Sequence, residues 1–223
     1  VVYHLQGHGE RRLDDRDRIG MSAYAEAVGR EGYALRPLLL PASPEIPADA
    51  AVVALASPRN EFSAAELAAL DRFVARGGAL LLMLDPGTPV SLAGWLRRFN
   101  VGLRDDFLVT ASRANAQLRV DELFMITESY GPHEITRGLE GMVTLFPFCQ
   151  SLTPLAASMR GVEARTLILS DADSWSESDP AAVARGRPVF DEGLDQPGPL
   201  PFAVALAVDR DPAASPDPLT VPE

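Results

Sequence analysis

Scarcity narrows this chain before any motif does. It holds a single cysteine, Cys149, so it can form no internal disulfide and no multi-cysteine zinc site. One cysteine is tolerated in any compartment and does not choose one. Histidines number three, His4, His8 and His133, which confines imidazole chemistry to those positions. Basic residues are outnumbered by 31 acids to 20, for a net charge of −11. A nucleic-acid binder needs a basic face to displace counterions from phosphate, so the balance argues against nucleic acid as a partner. It equally disfavours docking on anionic lipid, and it serves solubility. No apolar run approaches the roughly 18 to 20 residues that cross a bilayer. The chain opens without Met or a charged leader and is already strand-like at its first residues, so it is expected to be a fragment of a longer protein.

What is present reads as an α/β protein. The hydrophobic share of 47% suits a globular core in a chain of 223 residues. Three continuous apolar runs, Val1 to Leu5, Ala51 to Ala56 and Ala79 to Leu84, have the pattern of buried parallel strands. Arg36 to Leu40 is a fourth, ended by Pro41. Met21, Tyr24 and Val28 carry helical spacing up to a stop near Gly32. Ser63-Ala64-Ala65-Glu66 is a capping box, followed by an apolar stripe through Leu67, Leu70 and Phe73 and a Gly77-Gly78 stop. Thr88-Pro89 opens a third helix that carries Leu92, Trp95, Leu96 and Phe99 and closes at Asn100 to Gly102. This rhythm predicts a doubly wound, mostly parallel sheet with helices on both faces. Phe107 to Thr110, Met142 to Phe146, Thr166 to Leu169 and Phe202 to Val208 continue it as later strands. The expected organisation is one α/β domain over residues 1–208, then a Pro/Asp/Ala-rich linker or tail over 209–223.

The residues that bear chemistry gather at the end of the first strand. Gly7-His8-Gly9-Glu10 is a glycine-spaced loop presenting an imidazole and a carboxylate, where ligands bind in parallel sheets. His8 and Glu10 suit a base and its orienting partner, or half of a metal site completed by His133-Glu134. Equally, the glycines supply special backbone angles while His8 and Glu10 bond neighbouring backbone. His4, within the strand, reads as a packed residue. A nucleophile elbow needs Ser or Cys on a sharp strand-to-helix turn. The turn after the third apolar run, Leu84-Asp85-Pro86-Gly87, offers only Asp85. Cys149 lacks the glycine frame and reads as a small core residue, so covalent amidotransfer is excluded. Neither Gly7 to Glu10 nor Ser57-Pro58-Arg59-Asn60 makes a phosphate-binding loop. The acidic run from Asp171 to Asp179 fails the EF-hand pattern at Trp175, Ser176 and Ala182, and reads as a solvated loop anchored by Trp175. A ligand or partner crevice is therefore expected around His8, Gly9, Glu10, Asp85, Trp175 and Glu177. No catalytic residue, metal or cofactor is assigned.

Several segments in order carry a resemblance. Tyr3-His4-Leu5-Gln6-Gly7-His8-Gly9-Glu10 resembles the "strand then GHGE" opening of the gliding-motility (GldG-like) ABC-transporter auxiliary proteins. Val52 to Pro58, Ser63 to Gly78, Leu81 to Pro86 and Gly198-Pro199 are similar to further segments of that family. So is Leu169-Ser170-Asp171-Ala172-Asp173-Ser174-Trp175-Ser176-Glu177, with Leu169-Ser170 where the family has Thr-Ser. His133-Glu134-Ile135-Thr136-Arg137-Gly138-Leu139 is similar to an "HPITRGL" segment of amidotransferase-like proteins, with Glu134 for Pro.

The resemblance implies a flavodoxin-like, class I glutamine-amidotransferase-like fold, also found in an intraflagellar transport protein. It implies a non-catalytic extracytoplasmic (periplasmic) domain of a bacterial protein anchored in the inner membrane. Its partners would be the permease and ATPase subunits of an ABC transporter or other envelope proteins. The competing expectation is a carbohydrate- or peptidoglycan-related binding domain, or a degenerate hydrolase, using the His8/Glu10 crevice. Transported substrate and oligomeric state are left open.

Overall fold

The computed structural model describes residues 1–17, 19–154 and 161–208. The expected linker at 209–223 lies outside them. The chain divides into two compact units, Val1–Trp95 and a second beginning at Leu96.

In the first unit the apolar runs become strands and the periodic segments helices. β1 (Val2–Gln6) is followed by α1 (Ser22–Arg30), β2 (Leu35–Leu39), β3 (Val52–Ala56), α2 (Ala64–Ala75), β4 (Ala79–Met83) and α3 (Val90–Leu96). The strands form one parallel sheet in the order β2-β1-β3-β4, with Val2 opposite both Leu35 and Val52, and Val52 opposite Ala79. The two central strands carry the buried positions, Tyr3 to Leu5 and Val53 to Ala56. That is why their sequences are continuous rather than alternating. Successive connections leave β1 toward β2 on one side and toward β3 on the other. The order therefore reverses between β1 and β3, and their carboxyl ends diverge there, the place where open parallel sheets form a crevice.

The capping box on α2 forms as its spacing requires. The Ser63 hydroxyl accepts the Glu66 amide, and the Glu66 carboxylate accepts the Ser63 amide at 2.8 Å. The helix buries Ala69, Leu70 and Phe73. At its exit, Gly78 lies directly under the Phe73 ring, and a Cβ there would stand 2.3 Å from the ring carbons. The chain can turn from α2 into β4 only because that position has no side chain. The third helix is shorter than its pattern suggests. It gives way to a single 3-10 turn over Arg97–Phe99, closed by Asn100 in the left-handed conformation.

The second unit is built differently. Its elements are β5 (Val101–Leu103), β6 (Phe107–Thr110), α4 (Arg113–Leu118), β7 (Phe124–Thr127), β8 (Thr144–Pro147), β9 (Leu152–Pro154), β10 (Val162–Leu169), β11 (Ser174–Glu177), α5 (Pro180–Ala184), β12 (Gln196–Pro197) and β13 (Pro201–Val208). Its strand pairs, β5 with β9, β6 with β11, β7 with β8, β10 with β13 and β11 with β12, are all antiparallel. The expectation of a mostly parallel sheet continuing through the later strands is corrected: the parallel sheet stops at four. Parallel pairing needs a crossover, usually helical, and the segment between β7 and β8 contains no helix. The solvated loop expected at Trp175 is corrected as well. Ser174 to Glu177 is a strand between β6 and β12, with Ser174, Ser176 and Glu177 buried. Cys149, expected in the core, is only half-buried.

Replacing Gly78 by Ala forces the new methyl into the buried Phe73 ring. Gly78→Ala is expected to lower unfolding free energy by about 2 kcal/mol, read from the midpoint of urea denaturation at unchanged slope.

Candidate functional site

Strand β1 ends at Gln6 and delivers His8 into the interior rather than to solvent; the residue is 3% exposed. Its ring stacks on Phe62 with centroids 3.8 Å apart and planes 10° from parallel. Nδ1 lies 3.3 Å from Glu10 Oε1. Nε2 lies 3.0 Å from Glu66 Oε1, an ion-pair contact outside hydrogen-bond alignment. Both carboxylates are buried with it. Each ring nitrogen thus faces a carboxylate oxygen. The loop backbone joins the same knot. Glu10 Oε2 accepts the His8 amide at 2.7 Å, and the His8 carbonyl accepts the amides of Arg59 and Asn60. His8 and Glu10 thus hold the β1 loop against the start of α2.

Burial pushes the Glu66 carboxyl up, but the Ser63 hydroxyl and amide and the His8 ring outweigh it and hold Glu66 below its ordinary 4.5. His4, fully buried in β1, sets its Nε2 3.0 Å from the Arg11 carbonyl. Because a carbonyl only accepts, Nε2 is the donor.

Nearer the surface lies a second cluster that motif reading did not find. Asp85, on the turn after β4, accepts from Arg11 Nη2, from the Ser57 hydroxyl at 2.7 Å and from Arg59 Nη2 at 3.4 Å, all on Oδ2. Arg59 also donates to the Pro86 carbonyl, and Arg11 to the Ile19 carbonyl. Ser57 is buried and has φ +52°, a left-handed conformation uncommon for a side-chain-bearing residue and disfavoured before proline. Only that local signal, a serine between an apolar strand and a proline, marks it in sequence. Its hydroxyl proton is committed to a carboxylate.

The remaining expected residues belong to the second unit. Trp175 lies in β11 between Val109 and Pro197, and its indole N–H is buried without an acceptor among the described residues. Glu177, 1% exposed, accepts the amides of Asp179 and Val189 and so clamps a loop. Asp195 does the same for Ser178 and Asp191. His133 Nδ1 accepts the Ile135 amide, and Glu134 pairs with Arg137. Among the described residues no three such side chains gather as metal ligands. No described helix is long and apolar enough to cross a membrane. A cleft of about 420 Å³ is lined by Thr110, Ser112, Asn115 and Glu122, where burial and then Asp121 push the Glu122 carboxyl up.

Fold and site together define a mixed α/β protein whose parallel strand ends carry a tied ionic cluster. The chain belongs to the ABC-type uncharacterized transport system family, whose profile matches residues 1–214. That membership supports an accessory rather than catalytic role in a transport system, with transporter subunits as partners. Its fold is similar to that of the solved mmIFT52 N-terminal domain, at a TM-score of 0.61 and 15% identity over 80% of each chain. No curated protein sequence matches it.

Removing the imidazole leaves two buried carboxylates facing each other. His8→Ala is expected to cost about 3 kcal/mol of stability, measured by urea denaturation at pH 7. Because Glu66 is held below 4.5, its contribution is complete above pH 4.5 and is lost as pH falls through the lower folded value. Glu66→Gln should therefore flatten the acid side of the stability curve, as followed by thermal unfolding across pH.

Proposed function

We propose that this chain is a non-catalytic recognition domain of an ABC transporter auxiliary protein. It works outside the cytoplasm, in the periplasm, as part of a bacterial protein anchored in the inner membrane. Its partners are the permease and ATPase subunits or other envelope proteins, and its ancestry is GldG-like and amidotransferase-like. The family match across residues 1–214 carries this reading. The crevice chemistry supports it. His8 and Glu10 are buried in the scaffold, and the Ser57 hydroxyl is spent on Asp85. What the strand ends present outward is the half-exposed Arg59, with Arg11 and Asp85 beside it.

Carbohydrate- or peptidoglycan-related binding at the same strand ends is the second reading. The observation favouring it is that this polar cluster sits where the sheet order reverses, the ligand position of open parallel sheets.

Affinity purification of the tagged native-length protein from its own membranes is expected to retrieve an ABC permease and ATPase in fixed ratio. Retrieval of neither subunit sinks the transport reading. Turnover of amide, ester or glycoside substrates that is lost in His8→Ala, with the fold intact, would overturn the non-catalytic assignment.

A further inference from the structure

The longest ladder of the second unit, β10 with β13, stops at two strands. β13 holds only apolar side chains from Pro201 to Val208, yet none of them is buried, and β10 buries only Leu167 and Ile168. A two-stranded ribbon so thinly covered is marginal in water and gains from further strands.

The outer edge of β10 is where a strand can be added. Among the described residues, its only backbone hydrogen bond beyond the β13 ladder runs from the Gly131 amide to the Leu167 carbonyl, at 2.8 Å. That loop closes the far end of the edge and leaves Val162 to Arg165 open. Other sheet edges are blunted. β2, β8, β9 and β12 carry Pro37, Pro147, Pro154 and Pro197, and proline cannot donate to an added strand.

β10 has no proline. It carries two opposite charges instead, Glu163 and Arg165, with side chains 61% and 66% exposed and paired to each other within the one chain. Their neighbours across the ladder in β13 are Ala207 and Ala205, too small to hold either one. Charges on an edge repel most strands. What they admit depends on their order.

That order fits a second copy of this chain. Two identical antiparallel strands are related by a two-fold axis. The axis passes through a residue, because residues that face each other must both turn N–H and C=O outward. Through Glu163 it sets carboxylate against carboxylate, and through Arg165 guanidinium against guanidinium. Through Ala164 it sets Glu163 opposite Arg165 of the second copy, and Arg165 opposite Glu163 of the second copy. Like charges directly opposite destabilise a strand pair and unlike charges stabilise it, so only the middle register survives.

We propose that two copies of this chain pair along β10, antiparallel about Ala164, to make one four-stranded sheet in the order β13-β10-β10-β13. Glu163 and Arg165 fix the register by exchanging their pairing within a copy for pairing between copies. The inference is independent of the transport reading.

The test is sedimentation velocity of the whole chain from micromolar to millimolar concentration. A reversible dimer of twice 23.9 kDa is expected. Glu163→Arg and Arg165→Glu, both exposed changes, are each expected to weaken self-association tenfold or more, with the urea midpoint showing that the fold is kept. Carrying both substitutions in one chain restores opposite charges across the axis and is expected to restore the dimer. Mixing the two single variants is expected to give a heterodimer, since one then carries two arginines and the other two glutamates.

The proposal is overturned if the unaltered chain is monomeric throughout. It is equally overturned if the dimer survives Glu163→Arg, which assigns it to another edge such as that of β4, or if neither the double reversal nor the mixture restores association. A monomeric chain that still retrieves transporter subunits removes this inference and leaves the transport reading standing. A β10 dimer that retrieves neither does the reverse.

Discussion

The first unit is organised around one imidazole between two carboxylates. His8 touches Glu10 from its own loop and Glu66 from the first turn of α2, and stacks on Phe62 from the segment between β3 and α2. Two stretches distant in sequence are drawn to one buried point. The cost of removing these charges from water is offset only because each finds a partner: Glu66 through the capping box, Glu10 through the His8 amide. From this knot the His8 carbonyl reaches out to the amides of Arg59 and Asn60. The position of Arg59 is thereby a consequence of the position of His8.

Layering of charge follows. Histidines are spent inside and arginines near the surface. His4 holds the Arg11 carbonyl, and His8 holds the Arg59 amide. The two buried imidazoles thus fix the backbones of the two residues whose side chains converge on Asp85. Loops at the carboxyl ends of β1, β3 and β4 are joined by ion pairs and hydrogen bonds, with the His8–Phe62 stack beneath them. That keeps a polar surface available in a sheet whose central strands are buried at Tyr3 to Leu5 and Val53 to Ala56. The second unit uses buried carboxylates for a related purpose. Asp106, Glu177 and Asp195 each accept backbone amides, so these buried acids, Glu177 of the expected crevice among them, act as clamps on irregular backbone.

Motifs with local causes were legible. The box at Ser63 and Glu66, the stop at Gly77-Gly78 and the continuous runs of β1 and β3 each depend on interactions within a few residues or on burial of both faces. They stand where the pattern predicts them. The SWSE segment was not legible as a strand. Its small polar residues look like a loop until Gln196 donates to the Ser176 hydroxyl and two amides reach Glu177. The antiparallel pairing of the second unit was equally hidden, because strand direction depends on which segments meet and not on their composition. At the candidate site, His8, Glu10 and Asp85 were found by residue type and loop position. Arg11, Ser57 and Arg59 were missed, since nothing in their spacing ties them to one carboxylate oxygen.

Composition by itself determined the class: a globular α/β chain, acidic, without disulfides or a spanning segment, opening on a strand and a glycine-spaced loop. These properties are sums over residues or contacts between near neighbours, and they do not depend on how the chain closes. Tertiary structure alone decided what Gly7-His8-Gly9-Glu10 does. The ring of His8 can turn inward or outward on the same backbone. It turns inward because Glu66, 58 positions away, brings a second buried carboxylate to meet it, and the outward surface passes to Arg11, Arg59 and Asp85.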